Sequence, residues 1–186
     1  YRIIDITLSN CINSNLRRIY ILPQYKYESL ERHLRMGWNI FSPELGEFII
    51  SIPPQKRIDE HWYQGTADAI FQNLYTLEEK KPEIILILSG DHIYKMNYAE
   101  MIAYHINSGS DITVGAIEVN RSEASQLGII EIDPTNRIIG FQEKPQHPRT
   151  LPNDPHHCFA SMGVYVFTTD ILREVLKEDA WRNTEH

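Results

Sequence analysis

Hydrophobic and polar positions along this chain follow two periods that take turns. The run 18–22 (RIYIL) predicts a strand, followed by a helix over 25–35. The run 48–52 (FIISI) predicts a second strand, ended by Pro53 and Pro54, which have no N–H to give a ladder. Over 66–80 the apolar residues Ala67, Ile70, Phe71, Leu74 and Leu77 recur at the spacing of one helix face, with Thr66 suited to the N-cap and Pro82 ending the helix. The segment 83–88 (EIILIL) is apolar without alternation, which predicts a strand covered on both faces. A helix over 97–108 follows, opened by Asn97 as N-cap with Glu100 at N3 and closed by Gly109 in the left-handed conformation. Next come a strand over 111–119 (DITVGAIEV) and a hairpin of 129–133 and 137–142 around Pro134-Thr135-Asn136. The proline-rich stretch 145–155 reads as an ordered loop. A strand over 162–167 and a helix over 169–178 complete the pattern.

Strands alternating with helices predict an α/β fold around a mostly parallel, mixed central sheet flanked by helices, with the hairpin as an antiparallel insertion. The 186 residues contain no repeat, low-complexity tract or linker, so they read as one domain. The longest apolar run, 84–88, is far too short to span a membrane, and no basic-then-apolar leader is seen, so a cytoplasmic protein is expected. The formal charge of −7 argues against a nucleic-acid surface, so any anionic ligand must be met by local positive charge. Cys11 and Cys158 suggest neither a disulfide framework nor a zinc site. His156-His157-Cys158 has no second ligand pair at matching spacing and reads as loop.

In open α/β sheets ligands sit beyond the carboxyl ends of the strands, which directs attention to three segments. Asp91, in Ser89-Gly90-Asp91, follows the most apolar strand and suits a hard cation such as Mg²⁺, which takes one or two protein carboxylates. It suits a turn cap equally well. Glu143-Lys144-Pro145 ends the hairpin, where lysine offers a compact positive charge to a phosphate and glutamate accepts from sugar hydroxyls. The same pair also reads as solvated surface. In 62–69 (WYQGTADA) two aromatics lead into a helix N-terminus, fitting a nucleotide base or, on spacing alone, an ordinary capped helix with an apolar anchor. The nine glycines never form Gly-x-Gly, so the chain carries no phosphate-cradling glycine loop.

Taken together, YRIIDITLSNCINSN at 1–15, WYQGTADA at 62–69, SGDHIYKMNY at 89–98, EKP at 143–145, LPNDP at 151–155 and ASMGVYVF at 160–167 resemble the sugar nucleotidyltransferases, in their adenylyl, ADP-glucose-forming branch. The resemblance covers nearly the whole chain and implies a Rossmann-like nucleotidyltransferase fold. It implies the reaction of ATP with glucose 1-phosphate to give ADP-glucose and pyrophosphate, with Mg²⁺, in glycogen biosynthesis by a homotetrameric parent enzyme. By the same resemblance Asp91 is the Mg²⁺-binding, catalytic aspartate. Lys144 binds the sugar phosphate, Glu143 the glucose hydroxyls, and Ser161 and Gly128 line the sugar pocket. Tyr63, Gly65 and Thr66 belong to the nucleotide-base segment, and Gln24 and Trp62 to segments relaying an activator signal.

The departures carry their own expectations. The chain opens at Tyr1 rather than Met, and relatives place a first strand with a glycine-rich triphosphate loop ahead of the segment aligned with it. They carry a second metal-binding aspartate and a β-helix domain beyond the segment aligned with its end. Residues 1–186 are therefore expected to be a partial catalytic domain, incomplete at both ends, without useful turnover alone. Gln64 stands where relatives often carry arginine, which weakens the regulatory reading. Two other readings are a non-catalytic regulatory paralogue that binds sugar nucleotides, and a nucleotidyltransferase using UTP, dTTP or GTP.

Overall fold

The computed structural model describes residues 1–53, 63 and 65–184. The sequence places alternating helices and strands along the chain, and they form in this order: α1 Ile4–Asn13, β1 Arg18–Ile21, α2 Tyr27–Gly37, β2 Phe48–Ser51, α3 Thr66–Gln72, α4 Leu74–Lys80, β3 Ile84–Leu88, α5 Tyr98–Ser108, β4 Ile112–Asn120, β5 Gly128–Ile132, β6 Ile138–Glu143, β7 His157–Thr168 and α6 Thr169–Thr184. β1 and β2 form a small parallel pair. The other strands form a five-stranded sheet around β7. One edge of β7 pairs along its length with β4, while the other edge pairs first with β5 and then with β3, each time antiparallel.

The α/β class holds, but the strand directions correct the mostly parallel expectation. β3 and β4 run the same way, as a strand–helix–strand unit through α5 requires, yet they do not pair with each other. The late strand β7 lies between them, antiparallel to both. Hydrophobic periodicity reports which residues are covered and carries no record of strand direction.

The unalternating run in β3 has a structural cause. Ile84, Leu86 and Leu88 pack on the cluster of Cys11, Tyr98, Met101, Val164 and Val166 beneath α1 and α5. Ile85 and Ile87 pack on the opposite cluster, Leu74, Leu172 and Leu176, beneath α4 and α6. Helices cover both faces, so alternation has no function there. Every β3 residue is nevertheless only half-buried, because among the described strands β3 has a ladder partner on one edge alone.

Local chemistry moves three other boundaries. The helix expected over 66–80 breaks into α3 and α4 at Asn73, whose buried amide donates to the Ala69 carbonyl at 2.7 Å and to the Tyr63 hydroxyl at 3.1 Å. A side chain bonding back to the i−4 carbonyl competes with the helix ladder. Thr66 is the first helical residue rather than the cap. Gly65 holds the cap position without a side-chain bond, and its carbonyl accepts from Ala69 N–H at 3.0 Å. α1 has no predicted counterpart. Its three isoleucines and Thr7 are weak helix formers, and burial of Leu8 and Cys11 supplies what propensity does not. Around α5 the reading holds fully: Asn97 Oδ1 accepts from Ala99 N–H, its amide donates to Glu100, and Gly109 has φ +59°.

α5 also buries His105, only 2 % exposed, between β4 and β7. Thr168 Oγ1 already donates to the Ser110 carbonyl, so at 3.3 Å it accepts from His105 Nε2–H; Nδ1 is left to accept from Thr113 Oγ1 at 2.9 Å. In the neutral imidazole both contacts are made this way, whereas a charged ring would turn Nδ1 into a donor toward the same hydroxyl. Burial holds its pKa below the ordinary value, with the nearby Asp111 charge opposing. The unfolded chain then binds the proton that the folded one refuses. The stability from this neutral contact is complete above about pH 6.5 and is lost as pH falls below it. Thermal unfolding between pH 7.5 and 5 should show a steeper fall in midpoint for the natural chain than for His105→Gln. Equal slopes would reject the neutral, two-threonine histidine.

Candidate active site

The sequence puts Asp91 just past β3, and the fold supplies its neighbours. Asp91 Oδ1 accepts from the Ser89 hydroxyl, and this bond holds the carboxyl below its usual range, with partial burial opposing it and His92 assisting. Its side chain is 79 % exposed, so it is ionised and open to solvent. His92 Nδ1–H donates to the Met162 carbonyl at 3.0 Å, which fixes the tautomer and places Nε2 at 3.9 Å from Asp91 Oδ1.

Met162 belongs to a bulge that sequence reasoning missed. Along the β4–β7 ladder Val114 faces Tyr165 and Ala116 faces Ser161, so β7 holds surplus residues opposite Gly115. Gly163 lies in this bulge at φ +68°, against the His92 ring: a Cβ there would stand 3.4 Å from His92 Cε1. Its N–H donates to Ser161 Oγ at 3.3 Å, and that oxygen lies 3.2 Å from the Tyr165 hydroxyl. Bulges re-aim side chains. This one turns Ser161 and Tyr165 toward each other at the point where β7 passes from its β5 partner to its β3 partner. Tyr165 was invisible to sequence reasoning because it sits inside an apolar strand run.

The second group lies at the adjoining end of the same ladder. Ile129 of β5 pairs with Ala160, the residue before Ser161, and Gly128 pairs with Glu143 on β6. Lys144 follows in the left-handed conformation, φ +43°, its N–H donating to the Leu127 carbonyl at 3.1 Å. Left-handed backbone is uncommon for a residue with a Cβ. Here it turns the chain out of β6 and leaves Lys144 Nζ 3.6 Å from Glu143 Oε1, with both side chains more than 60 % exposed. β7 thus links Asp91, Ser161, Gly128, Glu143 and Lys144 along one rim of the sheet, although they are scattered over the sequence.

In the third group the structure favours the apolar-anchor reading of the aromatic over the stacking one. Tyr63 is 6 % exposed and its hydroxyl accepts from Asn73, so its ring has no open face for a base. Gly65 and Thr66 are exposed at the start of α3. Gln24 Nε2–H donates to the Tyr63 carbonyl at 3.0 Å, tying the loop after β1 to the entry of α3. Trp62 and Gln64 lie outside the described residues.

The fold also gives His157 the partners its spacing does not reveal. Its Nδ1 lies 2.6 Å from Asp154 Oδ2 and 3.6 Å from Glu118 Oε1, all within 4.8 Å of one another. The hydrogen bond with Asp154 raises the imidazole pKa and lowers that of the carboxyl. The group therefore fastens the 151–157 loop to β4, with His157 Nδ1–H donating to the Asp154 carboxylate. Asp91 is no part of it.

These features define an α/β domain whose polar residues gather where strands end, the place such sheets offer for a site. The chain belongs to the nucleotidyl transferase family, whose sequence pattern matches residues 1–186. It is 55 % identical over 181 residues to the glucose-1-phosphate adenylyltransferase of Rhodopirellula baltica, covering 97 % of this chain and 41 % of that protein. It is 52 % identical to glucose-1-phosphate adenylyltransferase 2 of Vibrio vulnificus strain CMCP6 over 180 residues, 97 % of this chain and 45 % of that one. It is 54 % identical to the Koribacter versatilis glucose-1-phosphate adenylyltransferase over 182 residues, 97 % and 44 %. The chain spans less than half the length of these relatives. Among the described residues no helix is long and apolar enough to cross a membrane.

Proposed function

We propose that this chain is the sugar-phosphate side of a glucose-1-phosphate adenylyltransferase catalytic domain. The reaction joins ATP and glucose 1-phosphate into ADP-glucose, releasing pyrophosphate, and serves glycogen synthesis in the cytoplasm within a homotetramer. The reading is supported above all by one rim, linked through β7, carrying an exposed carboxylate, a hydroxyl pair and an exposed Glu-Lys pair.

In that reaction a phosphate oxygen of the sugar phosphate attacks the α-phosphorus of ATP as the bond to pyrophosphate breaks, so catalysis is mainly positioning and charge stabilisation. Lys144 holds the attacking phosphate, and Glu143 accepts from glucose hydroxyls. Ser161, with Tyr165, and Gly128 line the sugar's edge. Asp91 fits Mg²⁺, because it offers one exposed, ionised carboxylate and leaves the remaining coordination to water and substrate phosphates. When bound, the ion would offset negative charge on the α-phosphate. Gly65 and Thr66 face the base from the start of α3. Buried Tyr63 stiffens that turn, Gln24 holds it through the Tyr63 carbonyl, and Gln24 and Trp62 belong to segments that relay an activator signal.

Thermal shift of the purified chain separates the choices of base. ADP-glucose at a hundredfold excess over its Kd should stabilise by about 2.7 kcal/mol, raising the midpoint by about 5 °C or more. UDP-glucose and GDP-mannose should do less. Greater stabilisation by either would overturn the adenylyl assignment. With no Gly-x-Gly among its nine glycines, the chain is expected to release no pyrophosphate from ATP and glucose 1-phosphate at a useful rate.

A further inference from the structure

Phe141 is 57 % exposed, and among the described residues it belongs to none of the packed apolar clusters. Cross-strand pairs share a face of a sheet, and the pairs Gly128↔Glu143 and Ile130↔Phe141 therefore put Gly128, Phe141 and Glu143 on one face of the β5–β6 hairpin. The ring closes over the glycine. A Cβ at Gly128 would lie 2.6 Å from Phe141 Cζ, 3.0 Å from its Cε2 and 3.4 Å from Glu143 Oε2. The other carboxylate oxygen, Oε1, is 3.6 Å from Lys144 Nζ. An open aromatic face, a hydrogen-bond acceptor and a cation thus meet around one residue that has no side chain.

A hexose phosphate has the complementary set: an apolar C–H surface, hydroxyls and a dianion. C–H groups carry slight positive charge and are drawn to the negative face of an aromatic ring, while the contact removes apolar area from water.

We propose that Phe141 is a specificity-determining residue of the sugar-phosphate site, its ring being the platform on which the hexose C–H face packs. Gly128 is the gap that admits the ring. The inference rests on the sugar-phosphate reading of Glu143 and Lys144 given above.

The test is glucose 1-phosphate binding to the purified chain, followed by saturation-transfer NMR and calorimetry, with inorganic phosphate as the second probe. In the natural chain, saturating aromatic protons should transfer to the sugar C–H protons. Phe141→Leu should abolish that transfer and weaken glucose 1-phosphate binding about tenfold, while inorganic phosphate binding stays unchanged. Phe141→Trp should restore both signals. Gly128→Ala should reproduce the loss, since its methyl group displaces the ring. Phe141 is exposed and outside the packed clusters, so its replacement leaves the core intact, and the Trp variant controls for unfolding. Natural-strength sugar-phosphate binding by Phe141→Leu or Gly128→Ala would overturn the platform and leave the proposed function standing. Absence of glucose 1-phosphate binding by the natural chain would overturn both.

Discussion

Asp91→Asn is expected to lower the turnover of the enzyme containing this domain by about 10²- to 10³-fold, the cost typical of removing one preorganised charge-stabilising group. The substitution is nearly isosteric, and its amide oxygen still accepts from the Ser89 hydroxyl. What it removes is the negative charge, which the structure keeps ionised and 79 % exposed. Folding should be indifferent, because surface changes away from packed features usually fall within about 0.5 kcal/mol. The informative measurement is steady-state kinetics across a Mg²⁺ titration. The variant should need more Mg²⁺ at half-maximal rate, while the KM for glucose 1-phosphate stays within about threefold, since Glu143 and Lys144 are untouched. A kcat within threefold of the natural enzyme would return Asp91 to the role of a turn cap.

Lys144→Ala should show the opposite division. A hydrogen bond to a charged group is worth about 1.5–3 kcal/mol, so the KM for glucose 1-phosphate is expected to rise between tenfold and a hundredfold or more. The KM for ATP should remain nearly unchanged. The backbone at Lys144 is held by the bond from its N–H to the Leu127 carbonyl, so removing the side chain leaves the turn in place. The left-handed φ of +43° is no worse for alanine than for lysine, because both carry a Cβ. Lys144→Arg should recover only part of the affinity, since a planar fork does not reproduce a compact ammonium on a short approach. An unchanged sugar-phosphate KM in Lys144→Ala would remove the lysine from the site.

Parts of the fold were legible because their causes are local. The strand at β3 showed itself in an apolar run that needs no partner to be recognised. The start and end of α5 follow from Asn97, Glu100 and Gly109, whose side chains or missing Cβ act within one turn. The hairpin of β5 and β6 was readable from Asp133-Pro134-Thr135-Asn136, where Asp133 Oδ1 accepts from Thr135 N–H and Arg137 N–H and Asn136 takes φ +63°. Other features depend on residues far apart. Asn73 breaks a well-patterned helix partly because Tyr63 is buried beside it. Tyr63 in turn suits a stacking ring or an apolar anchor in the sequence, and its burial decides for the anchor.

The candidate site divides in the same way. Asp91, Glu143 and Lys144 stand out by residue type and strand-end position, which are written in order along the chain, whereas Ser161 and Gly128 enter only through the family resemblance. Tertiary structure alone decided that they share a rim, because β7 enters late and antiparallel between β3 and β4 and bulges at Gly163 where its partners change. It also decided that Glu118 and Asp154 pair with His157, and that Phe141 stands open over Gly128. Periodicity encodes how much of each residue must be covered. It does not encode strand direction, the partner across a ladder, or which distant side chain arrives, because those follow from packing free energies summed over the whole fold.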